Sequence, residues 1–440
     1  MKVETLALVE TQDLYTNFYT FEGVVRALNG VSIVVKQGET YGLVGESGCG
    51  KSVTVRSMMR IVQAPGRIDS GRILMFLNSE DRRKGIEIVH RTETYMESIR
   101  GCDISMIFQE PGAALNPVMS ISEQIEESYQ FHRMDSMLKM TVAALDEEMG
   151  KLPRLSPARF WKGLQKALYS RELRSIRRYE QRVQTIDNEL YLLENSTDPQ
   201  AEARKENLNH TRDHVRLRDP LVAFVRRVPF LRMYRLRLRS VIRGQVIELL
   251  RSLGIPNPAN VATHYPHELS GGMQQRIVIA IALACHPTLL IADEPTSNLD
   301  VTIQAQIVEL IKTLKKTIIS SVLFITHDLG LVAEVCDRVT VMYAGDVSET
   351  AAVKELFRNP LHPYTKGLLN SVPKITQQEE LAMIPGAVPN LIRPPSGCRF
   401  HPRCPYAMAV CSEEKPPLIE HSQDHWVACY LYMNEETGHA

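Results

Sequence analysis

The stretch Gly45-Glu46-Ser47-Gly48-Cys49-Gly50-Lys51-Ser52 decides how the rest of the chain is read. It fits the pattern G-x-x-x-x-G-K-[ST], in which a glycine-rich loop turns its backbone N–H groups onto phosphates. The lysine can bridge two phosphates as a mobile positive charge, and the Ser52 hydroxyl can ligate Mg²⁺. The flanks agree with that reading. Thr40–Val44 is a short, mostly apolar run of the buried-strand kind. Ser52, Val53 and the residues up to Val62 read as a helix whose N-terminus favours an anion. On its own the loop signals a bound nucleoside triphosphate and says nothing of its use.

Upstream, Val31–Val35 is a second short apolar run, and Lys36-Gln37-Gly38-Glu39 is a turn between the two. Tyr15, Phe18, Tyr19 and Phe21 cluster before it; one ring could stack on a nucleobase, while strand packing suits most of the four. Downstream, residues 71–77 and 85–89 read as strands joined by the charged turn Ser79–Lys84. Thr92–Ile99 reads as a short helix, and Ile104–Phe108 as a buried strand that ends at Gln109 before Pro111 and Gly112 break it.

Further along, Leu269-Ser270-Gly271-Gly272-Met273-Gln274-Gln275-Arg276 opens an apolar helix; a short polar residue and two glycines make a second anion-binding helix start. Thr288–Ala292 is a buried strand that runs into Asp293-Glu294. An acidic pair at a strand's end, in a chain with a phosphate loop, suits a Mg²⁺ carboxylate followed by a general base. Ser297-Asn298-Leu299-Asp300 follows. The strand Val322–Thr326 then ends at His327-Asp328. Ligands gathered at the C-terminal ends of parallel strands are what an open α/β sheet predicts.

Bulk properties narrow the setting. Lys plus Arg and Asp plus Glu both count 51 over 440 residues, so overall charge gives no reason to expect nucleic acid or membrane binding. The most apolar run, Ile277–Ala292, is interrupted by His286 and Pro287 and does not read as a membrane span. The N-terminus lacks the pattern of a secretory signal, so a cytoplasmic location is expected.

Residues 132–240 differ in texture, with about 23 Lys and Arg against about 14 Asp and Glu. Leu173, Ile176, Val183, Ile186, Leu190 and Leu193 recur at three- and four-residue steps, a heptad-like seam on a long helix. Asn195–Pro199 reads as a turn, and Gln200–Arg218 as a second helix, giving a protruding hairpin or small bundle. Arg226–Arg243 is strongly basic. That charge suits a solvated helix face, or contact with the phosphates of lipid headgroups or nucleic acid.

The ordered set of phosphate loop, Gln109, LSGGMQQR, Asp293-Glu294, SNLD and His327 resembles the nucleotide-binding subunit of ATP-binding-cassette (ABC) proteins over most of residues 1–131 and 241–345. The resemblance implies an α/β fold with a RecA-like core, an antiparallel β subdomain and a helical subdomain at about 109–286. To these the sequence adds the helical insertion at 132–240 and a small Cys-rich C-terminal domain, the extension at 351–440. It also implies roles. Lys51 and the loop backbone, Gly45 through Val53, would bind ATP phosphates. Ser52, Gln109 and Asp293 would serve Mg²⁺. Glu294 would polarise the attacking water, and His327 would contact the γ-phosphate. Phe18, or next Tyr19, would stack on adenine. Ser270, Gly271, Gly272 and Gln274 would complete the site of an opposing subunit, with Asp300 at the subunit interface.

The tail narrows the branch. Asn359–Leu369, Ile384-Pro385-Gly386 and Gly397–Ala407 look like the C-terminal extension of oligopeptide, dipeptide and nickel importer ATPases. That likeness implies an ATPase driving import of peptides or similar solutes, related importers carrying nickel or oligosaccharides. It would work with two integral-membrane permeases, a second and paralogous ATPase subunit and an extracytoplasmic solute-binding protein, at the cytoplasmic face of the membrane. Cys398, Cys404, Cys411 and Cys429 are spaced too widely for a zinc ribbon. Some members of the branch hold a [4Fe–4S] cluster there, which is the first expectation; zinc and free or disulfide-bonded thiols are the others. In the family some sixty residues separate the glutamine loop from LSGG, so the insertion adds roughly 100; it is expected beside the permease or the lipid headgroups. The reading from another class is a soluble ABC ATPase acting on nucleic acid or ribosomes, against which the single cassette and the importer-type tail both count.

Overall fold

The computed structural model of the chain describes residues 6–77, 85–194, 204–205, 207–208, 211, 219, 222, 234–297, 299–317, 319–372 and 384–433. They divide into two compact units. One comprises Met1–Val89, Asp103–Glu110 and Pro287–Ala440; the other comprises His90–Cys102 and Pro111–His286.

The first unit carries every strand among the described residues. In chain order they are β1 (Ala7–Thr20), β2 (Gly23–Lys36), β3 (Thr40–Val44), β4 (Gly66–Met75), β5 (Ile86–Glu87), β6 (Ile104–Ile107), β7 (Leu289–Asp293), β8 (Ser321–Ile325), β9 (Arg338–Tyr343), β10 (Asp346–Ala352), β11 (Ile419–Ser422) and β12 (His425–Val427). Strands β2-β1-β4-β5 form an antiparallel sheet. The larger sheet runs β11-β12-β10-β9-β3-β8-β7-β6. Its five strands β9, β3, β8, β7 and β6 are parallel. Strands β3, β7 and β8 are buried along their whole length. This is why they read as continuous apolar runs rather than as alternating patterns.

The expectation of strands around a phosphate loop is met, with shifted bounds. The helix after the loop is Lys51–Met58, shorter than the 52–62 reading; Arg60 takes a left-handed φ of 51° and Pro65 follows. Pro111 does not simply break the chain. It starts the helical turn Pro111–Ala114, where a missing N–H costs nothing. The turn Ser79–Lys84 lies outside the described residues.

The C-terminal extension is not a separate body. β12 pairs with β10 through Glu349↔Val427 and Thr350↔Trp426, and β11 pairs with β12, so the tail extends the main sheet. Pairing covers an edge that would otherwise present unsatisfied backbone groups. Beneath β9 and β10, Tyr343, Tyr364 and Phe400 pack as an aromatic cluster with ring centroids 4.6–5.4 Å apart. Tyr364 and Phe400 lie in residues 351–440, so the extension and the sheet share this core.

The second unit is helical. The seam read from the sequence lies on the 38-residue helix Pro157–Glu194, with Ile176, Ile186 and Leu190 buried. Its partner is the helix Met134–Gly150, which precedes it. Among the described residues the long helix therefore packs on its N-terminal neighbour; most of Gln200–Arg218, the expected second arm, lies outside the described residues, as do Asn195–Pro199 and 226–233. Among the described basic residues, Lys162 pairs with Glu148 at 2.7 Å, Lys166 with Asp146 at 2.6 Å and Arg171 with Asp219 at 2.9 Å, and Arg237 also reaches Glu148. Part of the described positive charge is thus answered within the insertion itself. No helix among the described residues is long and apolar enough to cross a membrane.

Candidate functional site

The site is set by where the parallel strands end. The 45–52 loop leaves the C-terminal end of β3. Gln109 follows β6, Asp293 closes β7, and Thr326-His327 follows β8. Residues scattered over 280 positions meet because four neighbouring parallel strands present the same edge.

The loop needs its glycines. Gly45 has φ 151°, and a Cβ there would stand 2.2 Å from the carbonyl oxygen of Met342. Gly50 has φ 102° and leads into the helix, where Thr54 N–H donates to its carbonyl at 2.9 Å. Lys51 is buried and its Nζ donates to the Gly45 carbonyl at 2.8 Å and the Glu46 carbonyl at 3.1 Å. Burial pushes the Cys49 thiol up, consistent with a packing residue.

A cleft of ≈660 Å³ opens over the loop. Ser47, Gly48, Gly50, Lys51, Ser52 and Val53 line it, with Gln109, Glu294 and His327. The Ser52 hydroxyl donates to Asp293 Oδ1 at 3.0 Å. Burial pushes the Asp293 carboxyl up, while that hydrogen bond and nearby Arg56 and Lys51 pull the other way. A divalent cation beside Ser52 would offset the burial and hold Asp293 ionised.

Glu294 stands on the cleft wall between two polar partners. Its Oε2 accepts from Gln109 Nε2 at 3.1 Å, and its Oε1 lies 3.3 Å from His327 Nδ1. Glu294 also takes a left-handed φ of 46°, which for a non-glycine residue costs on the order of 1–2 kcal/mol. Its N–H donates to the Ile325 carbonyl at 3.0 Å, tying it to the end of β8. The arrangement can hold a carboxylate against a water beside bound phosphates, which is the geometry of general-base hydrolysis.

Other expected residues fall elsewhere. Phe18 does not line the cleft. It is half-buried over Gly66, whose added Cβ would lie 2.5 Å from the ring. Tyr19 is engaged by Asp69 at 2.8 Å and by the Arg67 guanidinium, 4.6 Å from its ring centroid. Phe21, at the β1–β2 turn, is the fully exposed ring of the cluster. The bulged pairing of β1 with β2 and β4 decides which face each ring takes, and composition cannot show that. Ser270 and Gly271 start the helix Gly271–Leu283 in the helical unit. Gln274 turns its amide back onto the carbonyls of Pro266, at 2.8 Å, and Leu269, at 3.3 Å. Asp300 accepts from Ile303 N–H at 2.9 Å as a helix cap. Sequence reading gave no site role to Ser297, Gln304, Thr326 or Asp328, all of which line the cleft. Asp328 was within reach of a capping argument: it accepts from the N–H groups of Gly330 and Leu331 at the start of the next helix.

The four tail cysteines do converge. Cys398, Cys404, Cys411 and Cys429 are free thiols lining one small pocket with Phe400, Tyr406, Tyr430 and Leu431. Burial pushes Cys398 and Cys429 up to about 11 and raises Cys404. The pocket's ≈10 Å³ is about what one water needs. No three His, Cys, Asp or Glu side chains among the described residues are placed to hold a metal ion. The expected metal geometry is therefore not met as the thiols stand.

A phosphate loop on a parallel sheet, with a carboxylate held over it by an amide and an imidazole, defines a nucleotide-hydrolysing protein. Residues 28–297 match the ABC transporter family model, and residues 348–411 match the oligopeptide/dipeptide transporter C-terminal region. A probable peptide ABC transporter ATP-binding protein of Sinorhizobium fredii is 38% identical over 96% of this chain and 94% of its own length. The dipeptide transport ATP-binding protein DppD of Bacillus subtilis is 36% identical over 98% of this chain and 97% of its own. The oligopeptide transport ATP-binding protein OppD of the same organism is 37% identical over 98% and 90%. The chain belongs to the ABC transporter family, in the branch with the oligopeptide/dipeptide C-terminal region, and is an ABC-type ATPase.

Proposed function

We propose that this chain is the ATP-hydrolysing subunit of an importer for oligopeptides or dipeptides, bound to the cytoplasmic face of the membrane through two permease subunits. The peptide-transport names of its relatives and the match of residues 348–411 support the substrate class. The observation that carries the enzymatic reading is Glu294, held between Gln109 and His327 over the phosphate loop.

In this mechanism the loop N–H groups and Lys51 bind the β- and γ-phosphates. Ser52, Asp293 and Gln109 would hold Mg²⁺, which would supply positive charge to the phosphates when bound. Glu294 takes the proton of the attacking water, and His327 contacts the γ-phosphate. The signature residues Ser270, Gly271 and Gly272, with Gln274, would complete the site of a second, paralogous ATPase subunit, and Asp300 would lie at that interface. A solute-binding protein outside the membrane would deliver the peptide. Expected contact of the insertion with lipid headgroups is weakened by the internal pairing of Lys162, Lys166, Arg171 and Arg237. Glu294→Gln tests the catalytic assignment: ATP should still bind while turnover is lost, and unchanged turnover would refute the role.

The four-cysteine pocket is the proposed site of a [4Fe–4S] cluster, with zinc the second choice. Convergence of four free thiols among aromatic walls supports it; their placement and the small volume count against it. Iron and acid-labile sulfide analysis of anaerobically purified protein decides. About four irons per chain are expected for a cubane, and iron-free protein would sink the proposal.

A further inference from the structure

We infer that Arg403 is a positioning residue of the nucleotide site, through which the C-terminal region holds the phosphate loop. The inference rests on the reading of residues 45–52 as the phosphate site. Arg403 lies beside Cys404, some 350 positions from the loop, yet its side chain is only 8% exposed. Its Nη1 donates to Glu46 Oε2 at 2.9 Å and its Nη2 to Glu46 Oε1 at 3.3 Å, a two-pronged pair. The guanidinium is itself fixed: Nη1 also donates to the Tyr343 hydroxyl at 3.2 Å, and Nε to the Pro385 carbonyl at 2.8 Å. A second arm comes from Tyr364, whose hydroxyl accepts from the Glu46 backbone N–H at 2.9 Å.

Every polar group of Glu46 is therefore engaged. Its N–H and carboxylate are held by the C-terminal region, and its carbonyl by Lys51 Nζ. Glu46 is the one carboxylate within the loop Gly45–Ser52. Ser47 and Gly48 line the cleft and Glu46 does not. An unpaired carboxylate in that loop would repel a polyphosphate and remove an anchor from a backbone that depends on left-handed glycines on both sides of it. Arg403 cancels the charge and fixes the side chain outside the cleft wall. A two-pronged Arg–carboxylate pair is also directional, so it sets the loop's position as well as its charge.

Full-length protein titrated with a fluorescent ATP analogue and Mg²⁺ tests this, with steady-state hydrolysis alongside. Arg403→Ala should raise Kd and KM for ATP about tenfold, with the loss falling on KM rather than kcat. Arg403→Lys, which keeps the charge but not the fork, should fall between. Adding Glu46→Gln to Arg403→Ala should recover most of the affinity, because the uncompensated charge is gone. Wild-type affinity in Arg403→Ala would overturn the inference, as would a double variant no tighter than Arg403→Ala. If Arg403→Ala does not fold, Arg403→Lys alone and with Glu46→Gln carries the same comparison. Lys51→Ala separates the two readings: undiminished binding there would overturn the phosphate site itself, whereas lost binding there with wild-type affinity in Arg403→Ala would overturn only the role of Arg403.

Discussion

At the scale of single residues, Glu294 combines a strained backbone with the proposed general-base role. Its left-handed conformation aims the carboxylate between Gln109 and His327. Gln keeps the size and loses the base, so Glu294→Gln should lower kcat by on the order of 10²-fold or more with little change in ATP affinity. Single-turnover hydrolysis and equilibrium binding read the two effects separately. Lys51, Ser52, Asp293 and Glu294 were legible in the sequence because loop spacing and strand ends carry them. Phe18 does not line the cleft in this structure, and which face each ring takes depends on strand register. A slip of one residue turns every side chain to the other face, and β1 carries several bulges. The bond between Arg403 and Glu46 was also illegible: no spacing rule links positions 357 residues apart.

At the scale of elements, buried runs of Val, Leu and Ile announced β3, β7 and β8, and a heptad-like seam announced the Pro157–Glu194 helix. Burying Ile186 and Leu190 on that seam contributes about 1.5–3 kcal/mol each. The pairing partner of the helix was not announced, since an apolar seam states a need for cover and not what provides it. β10 shows how an element ties the tail to the sheet. Glu349, fully buried in it, accepts from the N–H groups of Leu361 and His362 at 2.8 and 2.9 Å and pairs with His425 at 2.7 Å. Burial pushes its carboxyl up, but these hydrogen bonds outweigh burial and hold it below its ordinary 4.5. A carboxylate depressed on folding contributes stability above its unfolded pKa and loses it as pH falls through the folded value. The tail should therefore loosen as pH drops below about 4.5. Limited proteolysis across that range should show cleavage after residue 350 rising in the wild type. Glu349→Gln should show that cleavage already at pH 7 and little further change; a wild type equally resistant at pH 3.5 and pH 7 would contradict the role of Glu349.

At the scale of the whole molecule, composition left the activity open, and no helix among the described residues is long and apolar enough to cross a membrane. The motif order carried the family, and the tail carried the branch. Two expectations changed on the way to structure. The C-terminal extension is knitted into the main sheet rather than standing as a small domain, because β12 covers the edge of β10. Its four thiols converge without the placement a metal ion needs. In both cases side-chain spacing along the sequence is visible, while the space between the side chains is not. The central claim is that hydrolysis at the 45–52 cleft drives peptide import. It is tested most directly by uptake of a labelled peptide into vesicles bearing the assembled transporter, with ATP on the side of this subunit. Uptake that requires ATP in the wild type and is lost in Glu294→Gln is the predicted result; peptide uptake that persists undiminished in Glu294→Gln would contradict the account.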